Sequence, residues 1–249
     1  MSDEPSRQLI VALDFETLPA AYNLARRLVG FVGMFKIGSQ LFTSEGPRAV
    51  EKLADLGPGI FLDLKFHDIP KIVAAAVLAA ASLPGVRLMT LHALGGLEMM
   101  RAASGMLPTG GGKAGRRPRL LAVTVLTSLD ATAMRQVGLS ARASLQAIKL
   151  AQLANQAGLD GVVASAREVA SIRRACGKDF LIVVAGVRPG GPGAIAKGDD
   201  QARVATPGEA IRAGADHIVV GRPITAARDA RAAAAAILEE IAQARRSRI

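Results

Sequence analysis

Short apolar runs rich in β-branched residues recur along the whole chain, each followed by an alanine- and leucine-rich stretch with helical periodicity. That alternation restricts the fold severely. Parallel strands cannot be joined by tight turns and need a crossover, usually a helix packed on the face of the sheet. The strand-like runs are Leu9–Leu13, Met34–Ile37, Ile60–Lys65, Arg87–Leu91, Leu120–Val125, Gly161–Ala164, Phe180–Val184 and His217–Val220. Between and after them, Leu18–Leu28, Arg48–Leu56, Ile72–Ala81, Leu97–Met106, Ser144–Ala157, Ala166–Ala175, Pro207–Ala213 and Ala226–Ala242 read as helices. Eight repeats predict an α/β fold closed into a (β/α)8 TIM barrel, which ordinarily occupies about 250 residues. No linker-like stretch divides the chain, so residues 1–249 are expected to form a single domain.

Half of the residues are hydrophobic and 21% are charged, enough to bury roughly 70–75% of the unfolded surface at this size. The start, MSDEPSRQLIVALDF, sets acids before a short apolar run, unlike a secretory leader, and no run reaches the roughly 18 apolar residues of a membrane span. Cys176 is the only cysteine, which excludes an intrachain disulfide and a cysteine-based zinc cluster. A cytoplasmic protein without a membrane role is the expectation. The net charge of +10 raises nucleic acid as a partner. However, apart from Arg116, Arg117 and Arg119 and the tail's Arg245, Arg246 and Arg248, the charges are dispersed; Trp is absent and Tyr22 is the only tyrosine, leaving few stacking platforms for bases. Solvated faces and a frayed tail account for these charges, with residues 110–119 read as an exposed loop.

In such barrels chemistry sits at the carboxyl ends of the strands, and several strands here end in polar residues: Asp14, Lys36, Asp63 with Lys65, and His92. The most informative segment is FLDLKFHDIP, residues 61–70. Strand side chains alternate, so Asp63 and Lys65 point into the barrel mouth while Leu62 and Leu64 face the helices. A single buried ion pair is the purely structural alternative. Three charges within six positions, with Lys36 expected on the neighbouring strand, favour a reactive site instead.

DLKFHDIP resembles the DxKxxDIP signature of the orotidine 5′-phosphate decarboxylase family, in its bacterial type. ALDF at 12–15, FKIG at 35–38, LTS at 126–128, DQARVATP at 200–207 and VVGRPIT at 219–225 resemble that family's other motifs in the same order. The resemblance implies decarboxylation of orotidine 5′-phosphate to UMP in pyrimidine biosynthesis, with no cofactor and no metal. It implies a charged network of Lys36, Asp63, Lys65 and Asp68 at the reacting end of the pyrimidine. It also implies a homodimer in which Asp68 and Ile69 enter the neighbouring subunit's site. Asp14 and Lys36 would bind ribose hydroxyls, Thr127 and Ser128 would sit near the pyrimidine, and Arg188, Gln201, Gly221 and Arg222 would hold the phosphate. The chain departs from the family pattern at Lys71-Ile72, after DIP, and at Ala185, where a proline usually precedes the seventh-strand motif.

The phosphate assignment also has a physical basis, because barrels often bind phosphate with the loops after strands seven and eight and the amino end of a short helix. Gly221 and Arg222 follow strand eight directly. The glycine-rich stretch from Arg188 to Gln201 follows strand seven and could close over the phosphate, with those two residues as latches.

Loss of CO2 would leave an electron pair on a ring carbon that no carbonyl can delocalise. Lys65, as an ammonium, can stabilise that charge and supply the proton. Asp63 beside the substrate carboxylate would add repulsion of about 4 kcal/mol at 4 Å and an effective dielectric near 20. A Schiff-base aldolase needs an uncharged lysine, and the two aspartates beside Lys65 favour its charged form. A metal-dependent sugar-phosphate enzyme shares DxKxxD, but FHDIP, LTS and DQARVATP favour the pyrimidine nucleotide. His67, His92 and His217 read as packing or hydrogen-bonding residues, and no histidine pair has zinc-ligand spacing. A non-enzymatic interaction protein would have lost the four charges, and all are present.

Overall fold

The computed structural model describes residues 4–107, 117–190 and 205–247. Eight parallel strands close into a barrel in sequence order: β1 (Leu9–Ala12), β2 (Met34–Gly38), β3 (Gly59–Phe66), β4 (Val86–His92), β5 (Arg119–Val123), β6 (Gly161–Ala164), β7 (Leu181–Val184) and β8 (His217–Val220), with β8 pairing back to β1. The helices are α1 (Leu18–Leu28), α2 (Ser39–Glu45), α3 (Pro47–Ala54), α4 (Pro70–Ala81), α5 (Gly96–Gly105), α6 (Ala131–Gln136), α7 (Ala143–Gln156), α8 (Val169–Cys176), α9 (Pro207–Ala213), α10 (Arg222–Thr225) and α11 (Ala230–Arg246). The TIM barrel expected from the eightfold alternation is the observed fold.

The two-residue period of the strands divides the core into two layers. Ile10, Met34, Phe61, Leu88, Leu121 and Val183 fill the barrel interior. Their neighbours Val11, Phe35, Leu62, Met89, Ala122 and Val184 join the larger core between barrel and helices. Helix ends follow local chemistry. Asp130 caps α6, Asp229 caps α11, and Thr206 with Glu209 forms a capping box around Pro207 at the start of α9.

The sequence does not announce α2, α6 or α10, which are short and each bury one hydrophobic residue, Leu41, Met134 and Ile224 respectively. The stretch expected as a helix over Ala226–Ala242 instead begins at Ala230, because Asp229 supplies the cap, and it runs on to Arg246. Ala166–Ala175 opens with a 3-10 turn, Ala166–Glu168, before α8. The loop expected over residues 110–119 lies outside the described residues as far as 116. Beyond that, Arg117 pairs with Asp160 at 2.8 Å and Arg119 begins β5, so neither is an ordinary loop charge. Among the described residues no helix is long and apolar enough to cross a membrane.

Candidate active site

The inward rows of side chains that fill the barrel turn polar toward the carboxyl ends of the strands. On β3 the row runs from Phe61 to Asp63 and Lys65; on β2 it runs from Met34 to Lys36; beyond β1 it reaches Asp14. These charges line a cavity of about 670 Å³ that Thr127, Ser128, Arg188, Gly221 and Arg222 also line, with Ala12, Val163 and Val219 at its apolar base.

Asp63 is the centre of the charged wall. Its Oδ2 accepts from Lys65 Nζ at 2.8 Å and lies 3.6 Å from Lys36 Nζ, which in turn donates to Asp14 Oδ1 at 2.9 Å. Its Oδ1 accepts from the Thr90 hydroxyl at 2.9 Å. Burial alone would push the Asp63 carboxyl up. The two lysine charges and the hydrogen bonds from Lys65 and Thr90 outweigh burial and hold it below the usual carboxylate value. Asp63 is therefore a fixed anion, with one oxygen shared by two ammonium groups.

Lys65 adopts φ 52°, the one positive φ at a non-glycine residue among those described. Such a conformation costs about 1–3 kcal/mol and persists where surrounding contacts impose it. The contact here is Thr90, whose Oγ1 accepts the Lys65 backbone N–H at 2.9 Å. Pairing between β3 and β4 is also irregular at this point, passing from Leu62↔Met89 to Phe66↔Leu91. Strict alternation anticipated the side of the sheet on which Lys65 lies but not this bent backbone.

Two contributors escaped the sequence reading. Thr90, fully buried on β4, ties Asp63 to the Lys65 backbone; its sequence signal is one hydroxyl within an otherwise apolar strand interior, Leu88–Leu91. Gly38 closes β2, where an added Cβ would lie 3.0 Å from Lys36 Nζ and 3.2 Å from Asp14 Oδ1. Any side chain there would press on that ion pair.

The structure brings Asp14, Lys36, Asp63 and Lys65 into one linked network, but Asp68 does not line the cavity of its own chain. It lies beyond β3, exposed, accepting from the neighbouring Ile69 N–H at 2.6 Å. Ile69 is 64% exposed and Ile72 is 50% exposed. Arg188 is 8% exposed, with Nη1 donating to the Val187 carbonyl at 3.0 Å. Gln201 lies outside the described residues. His67 and His92 stack with ring centroids 5.5 Å apart, and burial, followed by the His67 and Lys65 charges, lowers the His92 pKa.

The chain matches the family model described as Orotidine 5'-phosphate decarboxylase / HUMPS family over residues 7–237. It is 51% identical over 239 residues to the orotidine 5'-phosphate decarboxylase of Geotalea uraniireducens, covering 96% of this chain and 97% of that one. It is 52% identical over 234 residues to the enzyme of the same name from Anaeromyxobacter dehalogenans, covering 94% and 98%. Among solved structures it resembles the orotidine 5'-phosphate decarboxylase of Lactobacillus acidophilus with a TM-score of 0.81 and 38% identity, covering 94% of this chain and 99% of that one.

Proposed function

The chain belongs to the orotidine 5′-phosphate decarboxylase / HUMPS family, and we propose that it converts orotidine 5′-phosphate to UMP with Lys65 as the proton donor. The observation that carries this reading is the Lys65–Asp63–Lys36–Asp14 chain of charges in a cavity that Arg188 and Arg222 also line. It offers a cation to a developing carbanion and guanidinium groups to a phosphate.

The C–C bond to the carboxylate breaks, CO2 leaves, and the bonding pair stays on the ring carbon. Lys65 Nζ, held by Asp63, stabilises that pair and transfers a proton to it, giving UMP. The resulting amine recovers its proton from solvent. Asp63, kept ionised by its neighbours, faces the departing carboxylate; its repulsion assists only while remote contacts hold the nucleotide in place. Lys36 and Asp14 take the ribose hydroxyls, Thr127 and Ser128 flank the pyrimidine, and Arg188, Gln201, Gly221 and Arg222 hold the phosphate. Gly221 lines the cavity and carries no side chain to stand between its backbone and an anion.

The position of Asp68 outside its own cavity supports its delivery to a second subunit, with Ile69 beside it. A homodimer would also cover the exposed Ile69 and Ile72 side chains.

The test follows the ultraviolet change of orotidine 5′-phosphate in EDTA, with Lys65→Ala in parallel. Conversion that vanishes in the variant is expected. No conversion by folded, dimeric protein would shift the assignment to a metal-dependent sugar-phosphate reaction.

A further inference from the structure

The amino end of the barrel holds a second cavity, of about 740 Å³, which the decarboxylation chemistry does not use. Its charged lining is Arg7, Arg87, Arg117, Arg119 and Asp160, with His217 alongside. Four guanidiniums face one carboxylate. That carboxylate is already engaged, since both Asp160 oxygens accept from Arg117 Nη1 at 2.8 Å and Oδ2 also accepts the Leu120 N–H at 2.8 Å. Among the described residues no ion pair neutralises Arg7, Arg87 or Arg119. The nearby Asp216 is taken by Arg173 and the Ile182 N–H, each at 2.7 Å.

The arginines are set in place by backbone features. Ile60 pairs with Val86 and Phe61 with Leu88, so Arg87 is the extra residue of a β-bulge, a device that re-aims a side chain. Its stem lies over Gly59, where a Cβ would come within 2.7 Å of Arg87 Cγ. At Gly33 a Cβ would lie 2.8 Å from the Arg7 backbone. Glycine at both positions leaves room for the arginines around a base that includes Met34, Leu88 and Leu181. His217 Nδ1–H donates to the Arg7 carbonyl at 3.0 Å.

We propose that this basin is a binding site for an oligophosphate, either free or as the phosphate tail of a nucleotide. Three uncompensated guanidiniums match the charge of a compact polyanion, and their planar forks suit paired phosphate oxygens. The lining holds no Phe, Tyr or Trp, which disfavours a nucleic-acid strand that needs stacking surfaces along an extended groove.

Isothermal titration calorimetry with sodium tripolyphosphate and with ATP, at fixed ionic strength, tests the site on wild type, Arg222→Ala and Arg87→Gln/Arg119→Gln. Arg222→Ala removes a cation of the catalytic cavity, so binding at the basin survives it. The double variant loses about tenfold in affinity per arginine, as expected for charge-assisted hydrogen bonds, with circular dichroism and decarboxylation unchanged. Tighter binding of ATP than tripolyphosphate identifies a nucleotide tail as the ligand; equal or weaker binding identifies the free oligophosphate. The proposal falls if neither ligand binds, or if binding is lost in Arg222→Ala and kept in the double variant. It also falls if a single-stranded oligonucleotide outcompetes both ligands at Arg87 and Arg119.

Discussion

Replacing Thr90 with valine keeps the shape of a fully buried side chain and deletes two hydrogen bonds at the heart of the catalytic wall. One is the 2.9 Å donation to Asp63 Oδ1, and the other the 2.9 Å acceptance of the Lys65 N–H. A hydrogen bond to a charged group contributes about 1.5–3 kcal/mol, and stranding a buried N–H costs about 1–3 kcal/mol. Together they predict a loss of about 3–5 kcal/mol, a large part of an ordinary folding free energy of about 5–15 kcal/mol. The catalytic effect is separate. Without its tie Asp63 can rotate, Lys65 loses the contact that holds φ at 52°, and a displacement of about 1 Å at a reacting group costs roughly a hundredfold in rate. We expect kcat to fall about that much and KM to change less, because the proposed phosphate contacts follow β7 and β8, away from Thr90 on β4. The Asp63 carboxyl also loses one of the bonds holding it down, so the acid limb of the rate profile moves to higher pH. Urea unfolding by circular dichroism and the ultraviolet assay give the two readouts, and Thr90→Ser should restore both. A valine variant with normal stability and kcat within about twofold of wild type, against that hundredfold expectation, would refute the reasoning.

Arg188→Ala should weaken UMP binding about tenfold or more, the worth of a charge-assisted contact, as read by calorimetry; unchanged affinity would remove Arg188 from the phosphate site. Mixing Lys65→Ala with Asp68→Asn, each inactive alone, should restore about one quarter of wild-type activity, because half of randomly paired dimers would carry one intact composite site; no recovery after demonstrated subunit exchange would place Asp68 outside a shared site. Burial holds the His217 imidazole below its ordinary pKa despite the Asp216 charge and the Arg7 carbonyl, with Arg119 lowering it further. The unfolded chain then binds that proton more readily, so the stability His217 contributes is present above the unfolded value near 6.5 and is lost as pH falls through the folded value. His92 acts with the same sign. Urea midpoints measured from about pH 7 downward should fall less steeply in His217→Gln, and an unaltered slope would assign the acid sensitivity to other groups.

The barrel was legible because its signal is redundant: eight apolar runs repeat, and losing one boundary, as at Phe180 or Val125, leaves the alternation intact. Asp14, Lys36, Asp63 and Lys65 were legible because charge at the end of an apolar strand is costly and stands out. Thr90 was not, since threonine is an ordinary strand residue and its role depends on β4 lying beside the bent end of β3. Arg117 and Arg119 stood out only as a short cluster, while Arg7 and Arg87 looked dispersed, because these three stretches are far apart in sequence and meet only when the strand starts gather at one end of the barrel. The short helices were hidden for a related reason: with one hydrophobic side chain buried apiece, they present no periodic stripe to read.

Between Leu62 and Phe66 the third strand advances four residues while its partner advances two, from Met89 to Leu91. Copying Asp63 and Lys65 onto another strand of this or any similar barrel would therefore transplant the wrong object. A regular ladder would engage the lysine amide with the adjacent main chain and carry the ammonium along a straighter path. The surplus length would have to travel with the side chains, together with a hydroxyl on the neighbouring strand to receive the freed N–H. For an enzyme designer, the smallest portable unit is thus a pair of mismatched strands.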